Sequence, residues 1–194
     1  YTFQMNYTDF IEKLLKETSK IALANFGKVT GRLKKEDSSQ VLTDTDLEIG
    51  KYIINEIEKA YPDHNIIDEE YGVVDKGSEF TWVVDPIDGT ANFAVGVVTY
   101  GTMIGLLRID VPIAGGLSLP SLKETIIAQK GKGASLNGKI AKVTAETNLS
   151  KVLVAVGIDP KKDNPDLVRE QSRIAGEILL ECRNLRGSGS VLDE

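Results

Sequence analysis

Apolar residues recur with the period of a helix at the start of the chain. Between positions 8 and 26, six of them fall on one face, and Gly27 favours an end to the helix just after them. The six are Phe10, Ile11, Leu14, Leu15, Ile21 and Ala22. Residues 31–40 are polar and predict a mobile loop or a hairpin. A second helix is predicted over 45–60, with Pro62 just past its end. Its expected inward positions are Leu47, Ile54 and Ile57.

Farther along, the apolar pattern changes to that of strands. Residues 65–67 predict a short strand that delivers acidic residues to its end, and residues 82–84 predict a buried strand end. Three longer segments predict neighbouring strands of one antiparallel sheet. They are 99–108, 111–118 and 125–129. Asn137-Gly138 is the dipeptide that favours a two-residue hairpin turn.

The last part of the chain predicts a strand, a helix and a second strand. Residues 152–156 are apolar enough for a buried strand, and 181–185 predict the next one. Between them Asn164 can cap a helix that has Pro165 at its first position and ends near Leu180. A strand-helix-strand unit of this kind predicts a parallel strand pair.

These elements predict an α+β arrangement of layers, followed by an incomplete βαβ unit. We place an N-terminal α+β domain at 5–148 and the start of a C-terminal α/β domain at 149–194. Residues 191–194 have the pattern of a first helical turn, which leads us to expect that the second domain is truncated.

Composition excludes several classes of protein. A net charge of -6 argues against nucleic-acid binding, which needs a basic patch. The single cysteine, Cys182, rules out an intrachain disulfide, and the single histidine, His64, is predicted to be a surface residue of a polar turn. A histidine-based triad or a zinc site is therefore not expected. No run of about 18 apolar residues and no signal peptide is present, so we expect a cytoplasmic protein that does not bind membranes.

The candidate chemistry lies in residues 81–93, Thr-Trp-Val-Val-Asp-Pro-Ile-Asp-Gly-Thr-Ala-Asn-Phe. Its apolar start predicts the end of a buried strand. Asp85 and Asp88 then follow on a predicted turn that a proline fixes and a glycine opens, and Thr90 is placed to begin a helix. Carboxylates beside a helix N-terminus suit a hard cation next to a phosphate group.

Six consecutive residues, Asp-Pro-Ile-Asp-Gly-Thr at 85–90, resemble the signature of the inositol monophosphatase family. The run at 128–138 is also similar to the family, and the resemblance covers nearly the whole chain. It implies an αβαβα layered sandwich of the sugar-phosphatase type. It also implies a homodimeric, lithium-sensitive phosphatase in which water activated by Mg²⁺ attacks a phosphomonoester.

The resemblance assigns metal ligands to this chain. Glu69, Asp85 and the carbonyl group of Ile87 would hold the first metal ion. Asp85 would bridge to a second ion that Asp88 also binds. Mg²⁺ takes oxygen ligands, and two such ions can clamp the attacking and leaving oxygens of a phosphoryl transfer.

The resemblance also assigns catalytic and substrate-binding residues. Thr90 and Asp46 would form a hydrogen-bonded pair near the metal-bound water, with Glu69 helping to orient that water. The backbone N–H groups of Gly89 and Thr90 would receive the phosphate. A later loop would contact the substrate, and it consists of Gly187, Ser188 and Gly189.

The chain departs from the family pattern at two places. Asp68 stands where a small residue is more usual, which adds charge next to the glutamate pair. The family has a later Trp-Asp motif whose aspartate completes the second metal site, and no position matches it, since Trp82 is the single tryptophan. We therefore expect the 194 residues to bind at most one Mg²⁺ well without phosphate, and to have little activity.

Other interpretations stay open at this point. Taken singly, Asp46 could cap a helix, Glu69 could belong to a solvated surface pair, and the glycine-serine loop could be an ordinary loop. Inositol monophosphate is the default substrate of the family. Histidinol phosphate, which the segments 100–104 and 119–124 weakly favour, fructose bisphosphate and adenosine 3′,5′-bisphosphate are the alternatives. A non-catalytic domain for metal binding or dimerisation is the alternative from another class.

Overall fold

The computed structural model describes residues 6–33, 41–157 and 164–187, and the elements predicted for 188–194 lie outside this part of the chain. Its helices are α1 (Tyr7–Asn25), α2 (Asp44–Ala60), α3 (Thr90–Val95) and α4 (Pro165–Glu181). Its strands are β1 (Arg32–Leu33), β2 (Val41–Leu42), β3 (Asn65–Asp68), β4 (Gly72–Val74), β5 (Phe80–Asp88), β6 (Gly101–Arg108), β7 (Val111–Leu119), β8 (Glu124–Gln129), β9 (Gly133–Leu136), β10 (Lys139–Ala141), β11 (Leu153–Ala155) and β12 (Asn184–Arg186).

An eight-stranded mixed sheet organises the first part of the chain. Its strand order is β10-β9-β8-β7-β6-β5-β3-β4, in which β3 and β5 are parallel and the other neighbours are antiparallel. The predicted antiparallel sheet is thus confirmed in β6, β7 and β8. The hairpin turn between β9 and β10 is also confirmed, because Asn137 and Gly138 both adopt positive φ, 49° and 75°. The short antiparallel pair β1–β2 agrees with the predicted hairpin.

Helices α1 and α2 cover one face of this sheet. α1 packs against β6, β7 and β8, and α2 packs against α1 and β5. α1 lies close to the sheet at Gly116 of β7, where a Cβ atom would lie 2.6 Å from Ile11 Cγ2 and 2.8 Å from Leu15 Cδ1. A larger residue there would push α1 away from the sheet. The predicted inward face of α1 is confirmed, except that Ile21 is only half-buried and Thr18 is buried.

The inward face of α2 differs from the predicted one. Leu47 and Ile54 are half-buried, and the buried positions are Thr45, Asp46, Ile49, Gly50, Ile53 and Ile57. Ile57 is buried as predicted, but the prediction missed the apolar residues Ile49 and Ile53 as well as the polar residues of the first turn. The helix instead turns its polar N-terminus, with Thr45 and Asp46, toward the interior, which rotates the face that packs on β5.

His64 is not the surface residue that the polar turn predicted. It is half-buried, its ring stacks on Phe80 with 4.7 Å between ring centroids, and its Nδ1 accepts a hydrogen bond of 3.1 Å from Trp82 Nε1. Tyr7 and Tyr61 complete this aromatic cluster. Burial lowers the pKa of His64 below its ordinary value of 6.5, partly offset by the nearby charge of Asp63.

The C-terminal unit contains the predicted parallel pair, formed by β11 and β12 on either side of α4 in the chain. Asn164 caps α4 by accepting a hydrogen bond from the N–H of Leu167 at 3.2 Å, as predicted. The expectation of a buried strand at 152–156 is wrong, since Leu153 is 57% exposed. Within the described residues, β11 pairs with β12 alone, and its three residues are exposed or half-buried. No helix of the described residues is long and apolar enough to cross a membrane.

Candidate active site

The C-terminal end of β5 carries Asp85 and Asp88. These residues do not lie on a tight turn, as the sequence predicted, but on a strand whose register slips, with Asp85 opposite Met103 and Asp88 opposite Gly101. Pro86 has no N–H to donate to the ladder, which explains why regular pairing breaks here. Residues three apart point to opposite faces of a regular strand, and the extra residue of a bulge cancels this opposition. The slip thereby lets both carboxylates serve one site.

Glu69 comes to the same edge of the sheet from β3. Because β3 and β5 are parallel, their C-terminal ends lie side by side. The N–H of Glu69, just past β3, donates to the carbonyl of Val84 at 3.1 Å. This bond continues the ladder of the two strands by one residue and sets the Glu69 side chain beside Asp85.

The electrostatics of Asp85 show how closely the carboxylates approach one another. Burial is the main reason why the pKa of Asp85 is raised to about 9. The charges of Glu69 and Asp88, a hydrogen bond with Glu69, and the charge of Asp46 raise it further. At neutral pH the Asp85 carboxyl therefore retains a proton unless a bound cation offsets the negative charges of the neighbouring carboxylates.

A second hydrogen-bonded network links α2 to α3 next to these acids. Thr90 Oγ1 lies 3.0 Å from Asp46 Oδ1 and 2.7 Å from the carbonyl oxygen of Ile87. The other oxygen of Asp46 accepts the N–H and the hydroxyl of Thr43, at 2.9 and 2.5 Å. Asp46 is 1% exposed, and burial raises its pKa although the bonds from Thr43 and Thr90 lower it. The Thr90 hydroxyl thus faces an oxygen held in one orientation.

Gly89 connects β5 to α3 in a conformation that favours glycine. Its φ of 75° lies in the left-handed region, and it is the N-cap residue of α3. The N–H groups of Gly89 and Thr90 were predicted to receive phosphate at the start of a helix. Since α3 has only six residues, its dipole contributes little. Phosphate binding by these two residues stays a prediction.

A cleft of about 410 Å³ lies beside the carboxylates, on the sheet face that α1 and α2 do not cover. Its lining residues are Ile67, Glu69, Val83, Val84, Asp85, Met103 and Gly105. A larger cavity, of about 670 Å³, lies between α1 and strands β8 and β9. Two predicted site residues, Glu69 and Asp85, line the smaller cleft and none lines the larger cavity, which favours the smaller cleft as the candidate site.

The predicted substrate loop is only partly described. Gly187 follows β12, and a Cβ atom at this position would lie 3.2 Å from the carbonyl oxygen of Val156. Gly187 therefore lies at the C-terminal ends of β11 and β12. The described hydrogen bonds do not join it to Asp85 or Thr90. Ser188 and Gly189 lie outside the described residues.

The donor set fits a hard cation such as Mg²⁺. Asp85 Oδ1 is buried and accepts no hydrogen bond within the described chain, and every candidate donor is an oxygen atom. Among residues 6–33, 41–157 and 164–187, no three His, Cys, Asp or Glu side chains converge on one point. Mg²⁺ does not require such convergence, because it keeps several waters and binds through one or two carboxylates and substrate phosphates.

Two residues that the sequence analysis did not predict also support the site. Thr43 fixes Asp46, and the spacing Thr-x-x-Asp of a capping box could have revealed this role. Thr102 of β6 donates to the carbonyl of Pro86 at 2.8 Å and secures the strand slip. No sequence pattern indicated Thr102, because its partner is a backbone atom on another strand.

Similarity to known proteins shows the family of this chain. The sequence model of the inositol monophosphatase family matches residues 4–190. The chain belongs to this family. A curated relative from Thermotoga maritima, the fructose-1,6-bisphosphatase/inositol-1-monophosphatase, is 33% identical over 79% of this chain and 59% of its own length. Inositol monophosphatase 2 of Solanum lycopersicum is 35% identical over 77% of this chain and 58% of its own length.

The fold is shared as well. The solved structure of a Thermotoga maritima IMPase superposes with a TM-score of 0.84 and 29% identity, over 96% of this chain and 69% of that one. The expected family and layered fold are therefore confirmed. The chain spans just under three fifths of the length of these curated relatives. Family members generally depend on a metal ion, typically Mg²⁺.

Proposed function

We propose that the protein is an Mg²⁺-dependent phosphomonoester hydrolase with inositol 1-phosphate as its default substrate. One observation carries this proposal. Asp85 keeps a buried oxygen without a hydrogen-bond partner while burial and the charges of Glu69 and Asp88 raise its pKa to about 9. Such an arrangement costs stability in the absence of a cation, and clusters of this kind are typical of functional sites.

The residues have distinct roles in the proposed site. Glu69, Asp85 and the carbonyl group of Ile87 would hold a first Mg²⁺ ion, and Asp85 and Asp88 would hold a second. When bound, the ions supply Lewis acids that polarise phosphate oxygens and lower the pKa of water. Glu69, next to Asp85, also helps to orient the water.

Thr90 and Asp46 accept the proton that the attacking water loses. Thr90 Oγ1 can take a proton from water as it passes its own proton to Asp46 Oδ1, 3.0 Å away. The bonds from Thr43 keep Asp46 in place for this transfer. Asp46 is therefore a positioned proton acceptor and also the third residue of α2, whose side chain completes the capping box with the N-cap residue Thr43.

Substrate contacts complete the proposal. Gly89 and Thr90 would bind the phosphate through their N–H groups, and Gly187, Ser188 and Gly189 would contact the remainder of the substrate. Fructose 1,6-bisphosphate is a second candidate, because the Thermotoga maritima relative is named for both activities. We further propose a cytoplasmic homodimer that binds neither nucleic acid nor membranes, in keeping with the net charge of -6.

The test is a phosphate-release screen on a family-length protein that contains this chain together with a Trp-Asp motif. The substrates are inositol 1-phosphate, fructose 1,6-bisphosphate, histidinol phosphate and adenosine 3′,5′-bisphosphate. We expect Mg²⁺-dependent release that lithium inhibits and that the Asp85→Asn variant loses. A protein that binds Mg²⁺ but hydrolyses none of these would favour the non-catalytic alternative.

A further inference from the structure

Asp68 is a buried acidic residue behind the proposed metal ligands. It is the last residue of β3, lies opposite Val84 of β5 in the parallel register, and is 2% exposed. Its neighbour Glu69 lines the cleft on the opposite sheet face. Side chains of consecutive strand residues alternate between faces. Asp68 therefore points toward α2, and it does not contribute to the cleft itself.

The Asp68 side chain holds the turn that carries Glu69. Its Oδ1 accepts hydrogen bonds from the N–H groups of both Glu70 and Tyr71, each at 2.9 Å. The N–H of Glu69 is bound by the carbonyl of Val84 at 3.1 Å. The N–H groups of three consecutive residues, 69 to 71, are thus hydrogen-bonded. The first is held by the strand ladder, and the next two are held by the Asp68 carboxylate. A small residue at position 68 would leave the second and third of these amides without this acceptor.

The surrounding chain makes room for this carboxylate. A Cβ atom at Gly50 of α2 would lie 3.0 Å from Asp68 Oδ2 and 3.2 Å from Pro86 Cγ. Gly50 therefore leaves the space that Asp68 and Pro86 occupy. Tyr71 closes the pocket from outside, and its hydroxyl donates to the carbonyl of Leu47 at 3.0 Å. The side chain at position 68 is accommodated by α2, β5 and the turn together.

We propose that Asp68 is the positioning residue for Glu69 in this chain. It acts through the backbone of the turn and does not touch the substrate. Residues that orient metal ligands typically change metal affinity or activity by about 10- to 100-fold when they are removed. The inference rests on the proposed function for its effect on metal binding, but its effect on the turn is independent of that function.

The variants separate the hydrogen bonds from the charge. Asp68→Ala removes the acceptor, whereas Asp68→Asn keeps an acceptor oxygen and removes the charge. The matched control is Asp75→Ala, because Asp75 makes the same kind of bond to the N–H of Gly77, at 2.9 Å, on an exposed turn. The readouts are amide hydrogen exchange at Glu70 and Tyr71, measured without metal, and Mg²⁺ binding by calorimetry.

We expect Asp68→Ala to speed exchange of both amides by at least about tenfold and to weaken Mg²⁺ binding by about 10- to 100-fold. Asp68→Asn and Asp75→Ala should stay within about threefold of the parent in both measurements. Unchanged exchange in Asp68→Ala would overturn the proposal, and so would faster exchange with unchanged Mg²⁺ affinity. If the parent binds no Mg²⁺, the proposed function fails, while the exchange data still decide whether Asp68 holds the turn. If Asp68→Ala unfolds and exchanges at all amides, Asp68→Ser, whose shorter side chain weakens the acceptor, takes its place, and the same outcomes support or overturn the proposal.

Discussion

Asp85 is the residue at which function and stability oppose each other. Its carboxyl is buried against Glu69 and Asp88, and its pKa is raised to about 9. A carboxyl whose folded pKa lies above its unfolded value of 3.8 favours folding at low pH, and this contribution is lost as the pH rises from about 4 to about 9.

We therefore expect Asp85→Asn to stabilise the metal-free chain at pH 8. At pH 8 the parent must take up a proton at Asp85 when it folds, whereas an amide needs none, so the Tm in excess EDTA should rise by at least about 2 °C, equivalent to about 1 kcal/mol. At pH 4 the gain should largely disappear, because the parent carboxyl is then protonated. Thermal unfolding followed by circular dichroism at both pH values checks this, and an equal or lower Tm at pH 8 would contradict it.

Thr90 is expected to affect turnover rather than metal binding. Its hydroxyl lies within hydrogen-bond distance of Asp46 and of the carbonyl of Ile87. In the proposed mechanism this hydroxyl transfers a proton. Thr90→Ala should lower kcat by about 10²- to 10⁴-fold in a family-length protein, the range typical of a positioned proton-transfer group. The Mg²⁺ concentration for half-maximal activity should change by less than about threefold. Thr90→Ser, which retains the hydroxyl, is the matched control and should keep most of the activity.

The opposite pattern in Thr90→Ala would show that the hydroxyl serves the metal ion. In that case kcat at saturating Mg²⁺ would be preserved, and the requirement for Mg²⁺ would rise.

At the scale of elements, a hydrogen bond between two side chains ties the start of β3 to β5. His64 lies in the connection between α2 and β3, and its Nδ1 accepts from Trp82 Nε1. Protonation of Nδ1 would remove this acceptor and place a charge among Phe80, Tyr7 and Tyr61. Since the pKa of His64 is lowered, its contribution to stability is present above pH 6.5 and is lost as the pH falls through the folded pKa.

We expect the parent chain to lose more stability than His64→Gln between pH 7 and pH 5. Glutamine can accept the hydrogen bond from Trp82 but does not titrate. The difference between the parent and His64→Gln therefore separates the effect of protonating the histidine from the effect of protonating carboxylates. His64 is the single histidine of the chain, which makes its imidazole signals unambiguous by NMR. A measured pKa at or above 6.5, or equal pH dependence of Tm in both variants, would contradict this account.

Helix and strand positions were largely predictable, because period and end signals are local. Both N-terminal helices, the three antiparallel strands and the Asn164 cap follow from such patterns. The backbone conformation at the end of β5 could not be predicted from such local patterns. Pro86 and Gly89 favoured a turn, whereas pairing with β6 extends the strand through Asp88. Propensity for a turn was overridden by the ladder, which depends on residues far along the chain.

His64 and Asp68 show a second limit. Both stand in polar segments, and a polar segment predicts exposure. In the structure His64 is half-buried and Asp68 is buried, because each has a specific partner, Trp82 for His64 and the amides of Glu70 and Tyr71 for Asp68. Such partners compensate for the cost of burying a polar group.

At the scale of the whole molecule, the large sheet gathers groups that are far apart in sequence. Asp46 comes from the start of α2, Glu69 from the end of β3, Asp85 from the end of β5 and Thr90 from the start of α3. The parallel β3–β5 pair is the step that brings two of these ends together. The family signature predicted this set of residues, but periodicity alone could not have placed Asp46 beside Thr90. The domain boundary near 148 stays a prediction.

Calorimetry of Mg²⁺ binding to the 194-residue chain tests whether the carboxylates around Asp85 form a metal site. The parent, Asp85→Asn and the control Asp75→Asn are compared at pH 7.5 without phosphate. We predict that one Mg²⁺ binds to the parent and to Asp75→Asn, and that Asp85→Asn weakens this binding by more than about tenfold, since an amide cannot supply the carboxylate charge. No Mg²⁺ binding by the parent, or equal affinity in the parent and Asp85→Asn, would contradict the claim that these carboxylates form a metal site.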